Sequence, residues 1–170
     1  MNTPTPPPPF ANPFVEKTAA FLRSIGLPVE HGTLGDDAFL PGLALDAGRI
    51  VIEEAKLLHP GDILHEAGHL AITPAAERAA CDGKLTVGGG EEMAAIAWSY
   101  AAALHIGMDP AVVFHPHGYR SGSDSLLENF REGRFLAVPY LQWMGLTCDN
   151  AQAAMRGCDP YPKMIRWLRE

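Results

Sequence analysis

Cysteine is scarce in this chain. Three in 170 residues, Cys81, Cys148 and Cys158, form no CxxC pair, which excludes a disulfide framework and fits free thiols in a reducing compartment. Basic charge is short as well: 13 Lys and Arg against 20 Asp and Glu leave a formal charge of −7. That field repels polyanions, so no nucleic acid is expected as a partner. No apolar run is flanked like a membrane span. The richest, Met93 to Met108, starts beside two glutamates and includes Ser99 and His105, and reads as a buried helix, with no membrane partner. The opening MNTPTPPPPF holds no Lys, no Arg and no apolar core, unlike a secretory signal, so a cytoplasmic protein is expected.

At 47% hydrophobic and 19% charged, the chain has the composition of one globular domain. Six of its fifteen prolines fall in the first thirteen residues. Residues 1–13 are therefore expected as a mobile, polyproline-like tail, and 14–170 as a single domain. Phe14–Ile25 has helical spacing and stops at Gly26 and Pro28. Leu43–Leu45 and Arg49–Glu53, joined by Asp46-Ala47-Gly48, read as a hairpin. Gly61-Asp62 opens a helix to Ile72, with Asp62 as its cap, and a brief turn follows Pro74. Another helix, from Glu91 to Gly107, is apolar on nearly all sides, and its alanines admit a close neighbour. Further helices are expected over Ser123–Arg131, Val138–Met144, Asn150–Met155 and Pro162–Leu168, with Trp98, Trp143 and Trp167 in the core. The class is α+β, mostly helical, with a small sheet or hairpin before the helix that carries the motif below.

That helix contains His65-Glu66-Ala67-Gly68-His69, an HExxH pattern whose chance occurrence in this composition is roughly 2%. Residues i and i+4 lie about 5–6 Å apart on one helical face, so both imidazoles can grip one ion at about 2.0–2.1 Å. Glu66 projects beside the pair, placed to take a proton from a water the ion activates. Tetrahedral catalytic zinc needs a third protein ligand. Glu91 and Glu92, 22 and 23 residues beyond His69, are candidates. Either also suits a helix's first turn, where an acid favours the positive end of the dipole.

HEAGH on a helix followed by EEMAAIAW resembles the HExxH-plus-Glu zinc peptidases, the gluzincins, and among their small members the ImmA/IrrE-type metallopeptidases. The similarity runs from about Arg49 to Tyr100. The resemblance implies Zn2+ held by His65, His69 and Glu92, with Glu91 as the alternative third ligand, and Glu66 as the catalytic base. It implies a zincin-like fold in which the last strand, Arg49 to Glu53, offers its edge to an extended peptide or protein substrate. The expected activity is zinc-dependent peptide hydrolysis. The alternatives are an inactive zincin-like protein-interaction module, and an HExxH hydrolase acting on a small amide or ester. Elemental analysis and substrate profiling separate them.

Tyr100, two helical turns beyond Glu92, and His115 and His117, in Phe114-His115-Pro116-His117-Gly118-Tyr119, are candidates for stabilising a transition state. The alternatives are a core tyrosine and surface or capping imidazoles. His31, His59 and His105 have no partner at ligand spacing and read as structural. Gly88-Gly89-Gly90 is no phosphate cradle, because two glutamates follow it. Nothing flanking the cysteines suggests an activated thiol nucleophile.

Overall fold

Asn12 and Pro13 set the first element. The Asn12 side chain accepts from the Phe14 N–H at 2.9 Å, and Pro13 fills the first helical position, where no donor is needed. Helix α1 then runs Pro13–Ser24, with Val15, Ala19 and Leu22 buried. The computed structural model, which describes residues 7–36, 38–83, 85, 88–118 and 122–170, is α+β, about 46% helical with one three-stranded sheet. Residues 7–12 differ from the expected mobile tail because they carry one large apolar group and find acceptors. Phe10 is buried and stacks on His31 at 3.9 Å between centroids, while Ala11 and Asn12 donate backbone N–H groups to the Glu54 carboxylate. Residues 1–6 of that stretch lie outside the described residues.

The expected hairpin is present as β2 (Leu43–Asp46) and β3 (Arg49–Ile52), paired antiparallel. Ala47 and Gly48 take φ of 48° and 75°, giving a two-residue turn whose twist matches that of the strands. The turn also sits tight: a Cβ on Gly48 would lie 2.5 Å from the Arg78 carbonyl oxygen. A third strand, β1 (Val29–His31), pairs parallel to β3 with Val29 opposite Ile50, so the order is β1-β3-β2. Three residues carry too little alternation to announce a strand. Its presence corrects the expectation of a free edge at Arg49–Glu53. β3 is central, and the outer strand on the hairpin side is β2.

Helix α2 (Asp62–Ile72) packs along helix α4 (Gly89–His105), which begins two residues before the expected Glu91. Ala94, Ala95, Ala97, Ala101, Ala102 and Ala103 are buried, and the close approach they permit is realised at Gly68, where an added Cβ would meet the Ala95 carbonyl oxygen at 2.7 Å. Short α3 (Ala75–Arg78) follows α2; α6 (Val138–Trp143) packs on α4, α5 (Ser123–Arg131) meets it through Phe130 and Tyr100, and α7 (Asn150–Arg156) follows α6. Trp98 is fully buried and donates Nε1–H to the Trp167 carbonyl at 2.9 Å. Trp143 is not core: it is 68% exposed and stacked on Tyr140. The helix expected over Pro162–Leu168 is absent, because this segment spends its backbone bonds elsewhere. Ile165 donates to Leu146 and Arg169 to Ala71, at 2.9 and 2.8 Å. Among the described residues no helix is long and apolar enough to cross a membrane.

Candidate metal centre

Helix α2 places His65 and His69 one turn apart, and α4 delivers Glu92 from its first turn. The two Nε2 atoms stand 3.1 Å apart. Glu92 straddles them, Oε1 at 3.3 Å from His65 Nε2 and Oε2 at 3.3 Å from His69 Nε2. Four ligands at about 2.0–2.1 Å around a tetrahedral ion are separated by edges of about 3.3–3.4 Å. The spacing in this cluster matches that edge. His69 is buried and its Nδ1 has no hydrogen-bond partner among the described residues, so Nε2 is the nitrogen it commits, and it commits it here. Two imidazoles and a carboxylate form the donor set of a zinc site with one position left for water or substrate.

The carboxylate at Glu92 is held far below the ordinary range by its hydrogen bonds to His65 and His69, with burial opposing. An ionised ligand is therefore available at any neutral pH. Glu91, the alternative, turns back instead: its Oε2 accepts from the Gly88 N–H at 2.8 Å, satisfying an orphan donor of its own helix. Glu92 thus faces the two imidazoles while Glu91 caps its own helix.

Glu66 lies next to the imidazoles, with donor atoms of His65, Glu66 and His69 all within 4.8 Å of one another. Unlike Glu92, it is not placed across both Nε2 atoms. It stands about 100° around the helix from His65 and lines a cavity of about 390 Å³ walled by Leu34, Phe39, Leu40, Leu43 and Leu45. Burial raises its pKa above the ordinary glutamate value, against the pull of His65 and His69. A carboxyl beside a candidate metal-binding cluster, raised by desolvation and facing an apolar cavity, has the chemistry of a general base that can also return its proton.

No protein-family model, curated protein or solved structure compared with the chain gives a significant match.

The other candidates are placed differently. Tyr100 is buried in an aromatic cluster, its ring 4.8 Å from Phe130 and 6.1 Å from Phe114. Eight residues of helix turn about 800°, so its side chain departs about 80° from the direction of Glu92 and lies about 12 Å along the axis. The expectation of a hydroxyl beside the metal is corrected on that ground, and the core alternative stands. His115 engages Asp62 instead of an open cleft: Nε2 lies 2.8 Å from Oδ1, and Nδ1 is buried without a partner among the described residues. Neither nitrogen is presented to a substrate. His117 is exposed, stacked at 5.4 Å from His59.

Asp62 is not the cap of α2 but its first residue, with Gly61 in the cap position. Its carboxylate serves His115, and His59 stacks on the same ring at 4.0 Å. The stripe 62, 65/66, 69 was the available signal, since it sets Asp62 on the face of the motif one turn upstream.

Proposed function

We propose that the chain is a zinc-dependent hydrolase of zincin-like fold, a metallopeptidase resembling the ImmA/IrrE type. The observation that carries this reading is the convergence of His65 Nε2, His69 Nε2 and the Glu92 carboxylate at 3.1–3.3 Å, with Glu66 beside them on a cavity. Zinc, when bound, supplies Lewis acidity and brings the pKa of water toward about 7. Glu66 takes the proton of the attacking water and hands it to the leaving amine. Its raised pKa suits it to both halves of that transfer. Leu43, Ala44 and Leu45 of the outer strand β2 line the same cavity as Glu66, which supports a peptide seated in that cavity with its reacting carbonyl toward Glu66.

The test is metal content and turnover on one preparation. Purified protein should hold zinc near one per chain. Glu66→Gln should keep that zinc and the fold while losing peptide hydrolysis by about 10²–10⁴-fold. Equal hydrolysis by the variant and the parent would refute the role of Glu66. Stoichiometric zinc without hydrolysis of any peptide by the parent would leave the interaction module in its place.

A further inference from the structure

Cys148 and Cys158 flank α7. Cys148 is fully buried, whereas Cys158 is half-buried. Cys158 lines a separate cavity of about 550 Å³ with His105, Lys163, Met164 and Trp167. The Cys158 thiol donates to Cys148 Sγ at 3.3 Å. The third cysteine is elsewhere, its thiol 3.9 Å from Thr73 Oγ1. The backbone around the pair is fixed. Tyr161 donates to the Cys148 carbonyl at 2.8 Å, Thr147 Oγ1 to Lys163 at 2.6 Å, and Ile165 to Leu146 at 2.9 Å. On the other side of the pair, the Asp149 side chain accepts from Gln152 N at 2.8 Å and starts α7.

We propose that Cys148 and Cys158 form a dithiol site that reacts with small-molecule disulfides, Cys158 being the entry thiol and Cys148 the resolving one. The first step joins Cys158 Sγ to one sulfur of the reagent and releases the other as a thiol. In the second, Cys148 Sγ attacks Cys158 Sγ and expels the remaining reagent thiol. Each attacking thiol gives its proton to solvent and each leaving thiolate regains one. Two protein thiols are thus oxidised to one disulfide, and the reagent disulfide is reduced to two thiols. Bond formation moves the sulfurs from 3.3 Å to about 2.05 Å, a closure of roughly 1.3 Å that side-chain torsions supply. Access favours Cys158, because it opens on a cavity and Cys148 does not. Its thiol is raised, first by the hydrogen bond to Cys148 and then by burial, so exchange accelerates as pH rises.

The bond would close a short loop around α7 and pin the strand-like contact of 146–148 with 161–165. That contact continues to Arg169, whose N–H bonds Ala71 of the motif helix at 2.8 Å. Oxidation is therefore expected to raise Tm by about 5–10 °C and to protect the α7 segment from proteolysis.

The experiment treats the folded full chain with oxidised glutathione and follows intact mass and a non-reducing tryptic map. The expected product is lighter by about 2 Da and yields peptides 135–156 and 157–163 linked through Cys148 and Cys158, in the parent and in Cys81→Ser alike. Cys148→Ser should stop at the glutathione adduct on Cys158. A parent that itself stops at that adduct, links Cys81, or stays unmodified while the urea-unfolded chain reacts would overturn the proposal.

Discussion

Gly68→Ala tests the closeness of the two helices that carry the proposed metal ligands. The new Cβ would stand 2.7 Å from the Ala95 carbonyl oxygen, 3.2 Å from its Cα and 3.3 Å from its carbonyl carbon. All three are backbone atoms of α4, so no side chain can turn aside. Ordinary contact begins near 3.4 Å, leaving the Cβ 0.7 Å too close. If the helices part by that amount, the 3.3 Å spacing between Glu92 and the imidazoles opens toward 4.0 Å, beyond the tetrahedral edge of about 3.4 Å. Overpacking of this kind costs about 1–3 kcal/mol, and backbone on both sides puts it at the upper end. Better helix propensity returns about 1 kcal/mol. The net loss of about 2 kcal/mol lowers Tm by about 4–8 °C in a domain of this size, and zinc binding weakens about tenfold or more. Thermal unfolding of the metal-free protein and zinc titration measure the two effects. Gly89→Ala is the control: it too is helical, but nothing among the described residues lies within 4 Å of its Cβ, so it should be neutral or stabilising. If Gly68→Ala behaved as that control does, the helices would not approach as described.

Glu92→Ala should lose stoichiometric zinc, whereas Glu91→Ala should retain it and cost only a cap, about 0.5–1 kcal/mol; elemental analysis of both variants separates the two glutamates. The buried phenol of Tyr161, which donates to the Ala97 carbonyl at 2.9 Å, has its pKa raised well above the ordinary tyrosine value by burial. Its contribution to stability is fully present below about pH 10 and is lost as pH climbs toward the folded value; Tyr161→Phe should flatten that alkaline loss in a pH series of unfolding curves. Arg78→Ala removes bonds to the carbonyls of Leu70, Thr73 and Arg169, for an expected loss of about 2–3 kcal/mol read from denaturant midpoints.

What could be read in advance was what one helix or one turn decides by itself. The HExxH spacing fixes two imidazoles on a face in any α-helix, and Ala47-Gly48 with a β-branched strand after it fixes a hairpin. The spacing leaves Glu91 and Glu92 equivalent, and only the turn of α4 relative to α2 sets one toward the imidazoles and the other toward the Gly88 N–H. What escaped needed the third dimension. β1 exists because β3 offers it an edge, and moving β3 to the centre leaves β2 as the outer strand, with its Leu43 N–H and Leu45 carbonyl taken by Leu40 and Gly83. Tyr100 was misplaced by counting turns in whole numbers, where the 80° residual of eight helical residues carries the ring into the cluster with Phe114 and Phe130.

The end of the motif helix shows why the missing part was tertiary. An α-helix leaves its last four carbonyls without internal donors, and in α2 those fall beside His69, in the last turn. The Thr73 N–H and hydroxyl take the His69 carbonyl, and Arg78 Nε takes Leu70 at 2.9 Å. Arg169 covers the remainder, its N–H on Ala71 at 2.8 Å and its guanidinium on Ile72 at 3.3 Å. The Arg169 carbonyl in turn accepts from Arg78 at 2.7 Å, so the two arginines lock each other in place over the helix end. Pro162–Leu168 could not be a helix and also bring Arg169 to this position, since a helix would keep those backbone donors for itself. The segment that periodicity assigns to a final helix is instead spent on completing the one that carries both histidines, a trade between regions about 100 residues apart in sequence that local pattern cannot register.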